Sequence, residues 1–147
     1  MGEEPVDILL VEDNPGDSRL TREAFAEGRL ANDIHVVTDG IEALDFLYQR
    51  GDYEDAPRPQ IVLLDLNLPR KNGDEVLGEI KDDPELSRIP VIVLTSSEAE
   101  TDVVRSYELN ANAYLTKPVD PQAFIEEIRA LEEFWLSLVR LPHTENG

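Results

Sequence analysis

Apolar side chains along this chain fall into short unbroken runs, separated by longer stretches where they recur every three or four residues. Three runs, VDILLV at 6–11, QIVLLD at 60–65 and PVIVLT at 90–95, are apolar on both faces of an extended chain. A strand covered by helices on both sides has this pattern. The expected strands are residues 6–11, 34–38, 61–64, 91–94 and 113–116. Between them lie five helical patterns. The first spans 15–27, with Asn14 as N-cap, Pro15 in the first helical position and Gly28 as its stop. The second, 41–50, carries Ile41, Leu44, Leu47 and Tyr48 on one stripe. The third runs from Gly73 to just before Pro84, with Val76, Leu77 and Ile80 inward. The fourth covers 98–109, and the fifth begins at Asp120 or Pro121 and runs to Arg140.

Strands alternating with helices imply a parallel sheet with right-handed crossovers and helices on both faces, in three layers. Five strands fit the flavodoxin-like (βα)5 doubly wound order 2-1-3-4-5. Residues 50–60 read as a polar loop. Residues 1–5 and 142–147 read as tails around one domain of residues 6–141, with no output domain after it.

Ligands of such sheets bind beyond the carboxyl ends of the strands, near the switch in strand order. Five segments bring polar side chains there. Glu12 and Asp13 follow strand 1, Asp65 ends strand 3 and Asn67 lies just after it. Thr95 and Ser96 follow strand 4, and Lys117 and Pro118 follow strand 5. Three carboxylates about 5 Å apart repel by roughly 3 kcal/mol per pair at an effective dielectric of 20. Lys117 supplies one counter-charge, and a divalent cation would supply two more. An all-oxygen site with a phosphate in view favours Mg²⁺, with Mn²⁺ as a substitute. Asp65 is then placed as a carboxylate nucleophile toward a phosphoryl donor, with Lys117 and the Thr95 hydroxyl stabilising charge on the transferred group. Taken singly, each residue has a plainer reading. Asp65 can cap its own turn, the Thr-Ser-Ser run can cap the next helix, and Tyr114 can be an ordinary strand aromatic. Their joint register at one rim favours the chemistry.

Composition narrows the partners. The chain has 32 acidic and 13 basic residues, a net charge of −19 and no cysteine. Phosphate-backbone binding and anionic membrane surfaces are disfavoured, so neither nucleic acid nor membrane is an expected partner. Disulfides, thiol nucleophiles and iron–sulfur clusters are excluded. Only Lys71, Lys81 and Lys117 are lysines, a balance that points to a salt-loving source, where screening at molar ionic strength tolerates such self-repulsion. No apolar run reaches the about 18 residues of a membrane span, and the expected location is the cytoplasm. His35 and His143 lack second ligands at metal spacing and receive no role.

The segments ILLVEDN, VLLDLNLPRKNG, VIVLTSS and AYLTKP, in this order and spacing, closely resemble the receiver domain of two-component response regulators over residues 6–133. The resemblance implies that Asp65 accepts a phosphoryl group from a histidine kinase or phosphotransfer protein. It implies a cation held by Asp13, by Glu12 through water, by Asp65 and by the Asn67 carbonyl. Lys117, Thr95 and the Ser96 amide would bind the phosphoryl oxygens, Lys117–Pro118 would be cis, and Tyr114 would be the aromatic switch. Such a protein phosphorylates and slowly dephosphorylates itself and is not a turnover enzyme. Three departures stand out: RKNG at 70–73, the long 50–60 segment and a fifth helix continuing through EFWLSLVRL. With VEDNPGDSRLTREAF, they resemble the stand-alone regulators that partner phytochrome-type and other sensor kinases. Phe134, Leu136, Val139 and Leu141 lie off the helix 5 stripe of Phe124, Ile128, Leu131, Trp135 and Leu138, and the expected interface, for an unknown downstream protein or a homodimer, is Phe134, Trp135, Val139 and Leu141. A haloacid-dehalogenase-like phosphohydrolase would need an acid where Asn67 stands. A flavin binder would need a phosphate loop where the acidic EDNPGD stands. A mute scaffold would not need the acidic and basic set retained.

Overall fold

A computed structural model describes residues 5–26, 32–106, 111, 113–117 and 126. The chain alternates strand and helix: β1 (Val6–Val11), α1 (Pro15–Ala26), β2 (Asn32–Val37), α2 (Gly40–Leu47), β3 (Ile61–Asp65), α3 (Gly73–Asp82), β4 (Val91–Thr95), α4 (Glu98–Ser106) and β5 (Ala113–Thr116). The five strands form one sheet in the order β2-β1-β3-β4-β5, every pair parallel. This is the doubly wound order expected from the pattern of runs. The fifth helix apart from Glu126, together with Pro118, Phe134, Trp135, Val139, Leu141 and the stop at Gly28, lies outside the described residues.

Alternation along the strands divides the core into two layers. Leu9, Val11, Val62, Leu64, Val91 and Val93 face α2 and α3, meeting Ala43, Leu44, Phe46, Leu47, Val76, Leu77 and Ile80. Ile8, Leu10, Leu63, Ile92, Leu94 and Leu115 face the other way, against Phe25 of α1. These strand residues are at most 9% exposed, which is why three runs read as apolar on both faces.

Three expectations shift. β2 begins at Asn32 and ends at Val37, because backbone pairing with β1 extends from Val6↔Asn32 to Val11↔Val37 through polar residues that carry no apolar signal. Ile41 is 39% exposed, so it does not belong to the buried stripe of α2. That stripe is centred on Gly40, Ala43, Leu44 and Leu47, because Gly40 presses against the Lys71 carbonyl, where a Cβ would lie 2.2 Å from the oxygen. The 50–60 segment is not featureless. It opens with a 3₁₀ turn, Gly51–Tyr53, tied down by Tyr53 Oη donating to Glu42 at 2.7 Å and Arg50 Nε donating to Asp45 at 2.8 Å. Among the described residues, no helix is long and apolar enough to cross a membrane.

Candidate functional site

Parallel pairing makes the carboxyl ends of the strands level. Val11 sits opposite Leu64, Asp65 opposite Leu94, and Thr95 opposite Thr116. The residues that follow must therefore meet at one rim, beside the point where the order reverses between β1 and β3. There, Glu12, Asp13, Asn14, Pro15, Asp17, Asp65, Asn67, Ser96 and Lys117 line an open crevice of about 530 Å³. Glu12, Asp13 and Asp65 each offer a carboxylate oxygen, all within 4.8 Å of one another. Glu12 and Asp65 are buried and Asp13 is exposed.

Lys117 closes the cluster. Its Nζ donates to Asp65 Oδ2 at 2.8 Å and to Glu12 Oε1 at 3.1 Å, and pairs with Asp17 Oδ2 at 3.0 Å. Burial alone would lower the lysine's pKa. The bonds to Asp65 and Asp17 and the Asp65 charge outweigh it and hold the ammonium above its ordinary value, so it stays charged. Glu12 moves the other way. Burial first, then the hydrogen bond and charge of Asp65, push it up to about 7 against the opposing bonds from the Asn14 N–H and Lys117. Among the described residues, four carboxylates thus line the crevice with one ammonium, and burial first of all drives one of them, Glu12, toward neutrality. That donor set, hard oxygens in charge excess, suits a divalent cation.

The loop after Asp65 is held from two sides. Asn67 N–H donates to Asp65 Oδ1 at 2.9 Å, so Asp65 does cap its own turn as well. Gly73 opens α3 directly under the strand end; a Cβ there would lie 2.4 Å from the Asp65 carbonyl. Arg70, with φ of 64°, forks onto Asp39 at 2.9 and 3.1 Å, and Asp39 in turn caps α2 by accepting from the Glu42 N–H at 2.8 Å. Burial would raise the Asp39 pKa; the Glu42 N–H and the Arg70 guanidinium outweigh it and lower it. The RKNG departure thus carries a clamp between the loop after Asp65 and α2.

The remaining expected residues reach the rim with other partners. Thr95 is fully buried, and its hydroxyl bonds to Thr101, to the Leu115 carbonyl at 3.3 Å and to the Ser97 carbonyl at 3.5 Å. The Ser96 N–H donates to Glu100 at 2.9 Å, and Asn67 Nδ2 donates to Ser96 Oγ at 3.3 Å. Tyr114 is half-buried against the core on the α2 and α3 side. Sequence reasoning passed over Asp17, Glu100, Thr101, Asp39 and Arg70. Asp17 alone had a signal, since it stands one helical turn beyond Asp13 in the acidic EDNPGD segment. His35 is not idle either: Nε2 lies 3.0 Å from Asp7 Oδ1, a partner contributed by the neighbouring strand.

Comparison with known proteins agrees with this geometry. Response regulator Rcp1 of Synechocystis sp. is 49% identical over 138 residues, 94% of each chain. FilR2 of Methanothrix harundinacea, described as a probable methanogenesis regulatory protein, is 40% identical over 141 residues, 95% of this chain and 90% of that one. The crystal structure of the Mn²⁺-bound form of Rcp1 superposes with a TM-score of 0.74, at 49% identity over 90% of this chain and 95% of that one. That of the phosphorylated cyanobacterial phytochrome response regulator RcpA gives 0.75, at 47% identity over 92% and 96%. Residues 8–129 match the response regulator receiver domain, and the chain belongs to that family.

Proposed function

We propose that this chain is a stand-alone receiver that takes a phosphoryl group on Asp65 from the phosphohistidine of a sensor kinase or phosphotransfer protein. The observation that carries the reading is the Asp65 carboxylate itself: buried at the switch point, with one oxygen on the Asn67 N–H and the other on Lys117. A carboxylate oxygen of Asp65 attacks phosphorus, an O–P bond forms, and the bond from phosphorus to the imidazole nitrogen breaks. With acetyl phosphate as donor, acetate leaves instead. Lys117 holds positive charge beside the developing acyl phosphate. Glu12, Asp13, Asp65 and the Asn67 carbonyl would hold Mg²⁺, or Mn²⁺ in its place, and the ion when bound neutralises phosphoryl oxygens.

Residues 6–141 are read as one receiver unit that turns over its own acyl phosphate slowly and is not a turnover enzyme for free substrates. Thr95, Ser96, Tyr114, Lys117 and Pro118 are assigned to the switch. The apolar set Phe134, Trp135, Val139 and Leu141 is assigned to a downstream protein or a second copy. Similarity to phytochrome response regulators supports a phytochrome-type kinase as partner and a cytoplasmic setting. The charge of −19 supports a high-salt source. The test is intact mass before and after acetyl phosphate with Mg²⁺. One phosphoryl group is expected on the native chain and none on Asp65→Asn; equal uptake by both removes Asp65 as acceptor.

A further inference from the structure

Two of the three donors assigned to the phosphoryl group, Thr95 Oγ1 and the Ser96 N–H, already have partners on adjacent residues of one helix. Thr95 brings a single hydroxyl proton. Its hydrogen-bond partners among the described residues, Thr101 Oγ1, the Leu115 carbonyl and the Ser97 carbonyl, all lie on the α4 and β5 side. Thr101 is a buried hub. Its hydroxyl lies 3.0 Å from the Ser97 carbonyl and 2.8 Å from Thr116 Oγ1, so it joins β4, α4 and β5 through three threonines. One residue earlier, Glu100 places Oε1 2.9 Å from the Ser96 nitrogen.

Glu100 also completes the cap of α4, since its own N–H donates to Ser97 Oγ at 3.1 Å. In an ordinary capping box the acidic side chain returns to the N–H of the capping residue itself. Here it reaches one residue further, to the amide that lines the crevice. A carboxylate oxygen thus stands where a phosphoryl oxygen is expected to bind.

We infer that Glu100 and Thr101 form an internal latch that holds two of the phosphoryl-binding donors, Ser96 N–H and Thr95 Oγ1, until phosphorylation displaces them. The inference rests on the reading of Asp65 as phosphoacceptor. The incoming phosphoryl group carries about two negative charges and repels the Glu100 carboxylate. Thr95 must turn its single proton away from its partners on the α4 and β5 side to reach it. Both displacements act on the first turn of α4, so the charge change at Asp65 is delivered to that helix. The latch is a bistable element biased by one local event.

The experiment compares initial rates of acetyl phosphate labelling, read by intact mass, in variants of the 147-residue chain. Glu100→Gln keeps a residue competent to cap and removes the charge; Thr101→Val is nearly isosteric and removes the hub. Each is expected to speed labelling by about fivefold, the difference between a charged and a neutral hydrogen bond for Glu100→Gln and the worth of one neutral bond for Thr101→Val. Thr101→Ser is expected to restore the native rate. Thr95→Val should slow labelling, and adding Thr101→Val to it should change nothing further, because the donor that Thr101 restrains is gone. Rates at or below the native value in both Glu100→Gln and Thr101→Val overturn the latch, as does acceleration by Thr101→Val that persists without Thr95. If circular dichroism shows one variant unfolded, the other decides. A native chain that takes up no phosphate, or label retained in Asp65→Asn, strikes the phosphoacceptor reading itself and this inference with it.

Discussion

Replacing Lys117 by methionine removes the ammonium that touches Asp65, Glu12 and Asp17. At an effective dielectric of 20, opposite unit charges at these separations attract by about 5–6 kcal/mol per pair. Desolvation offsets much of that, because the Lys117 side chain is only 12% exposed, Asp65 2% and Glu12 0%. What remains to be measured is the consequence of leaving buried carboxylates facing each other, and breaking a buried pair in this way costs about 3–5 kcal/mol. For a domain of this size the loss should lower Tm by roughly 6–20 °C. The effect should depend on pH. Lys117 is one of the two influences that lower the Glu12 pKa, so its removal lets Glu12 take a proton more readily and relieves part of the repulsion in acid. Urea unfolding should therefore show a larger loss near pH 8 than near pH 6. Mg²⁺ should return more stability to the variant than to the native chain, because the cation meets the same carboxylates without a competing ammonium. A loss below about 1 kcal/mol, equal at both pH values and insensitive to Mg²⁺, would refute the account of Lys117 as the counter-charge of the cluster.

Two further outcomes follow from the same charges. The Glu12 pKa is raised from 4.5 to about 7, so the folded metal-free protein binds this proton more tightly than the unfolded chain. That contribution to stability is fully present below 4.5 and is lost as pH climbs through 7. A cation must expel the proton, so Mg²⁺ or Mn²⁺ affinity measured by titration calorimetry should rise up to about tenfold per pH unit below that pKa and level off above it; a flat profile contradicts the placement of Glu12 in the cation site. The net charge of −19 predicts that molar KCl raises the thermal midpoint of the metal-free protein, through screening over about 3 Å; a midpoint that falls from low to molar salt sinks the high-salt reading.

Much of the fold was legible because burial on both faces leaves no room for polar residues in the central strands. β1, β3 and β4 announce themselves that way, and order and topology follow from their alternation with helices. β2 at the sheet edge was less legible, because Asn32 and Asp33 join it through backbone pairing and carry no apolar signal. The α2 stripe was misplaced at Ile41 because periodicity gives the spacing of a face and not its rotation. Contact between Gly40 and the Lys71 carbonyl sets that rotation, across 31 residues of chain.

The site divides along the same line. Glu12, Asp13, Asp65, Thr95 and Lys117 are fixed by local sequence at strand ends, and parallel pairing obliges strand ends to converge. Their membership in one rim was therefore determined by the chain itself. Which partner each side chain takes was decided by the tertiary structure. Asp17 on Lys117, Arg70 on Asp39, Glu100 on Ser96 and Thr101 on Thr95 depend on helix placement and side-chain reach over a few ångströms. Hydrogen bonds and ion pairs are short-ranged and directional, so they are specified only once packing has fixed the distances. Burial and strand register reflect averages over many residues, and a sequence records those directly.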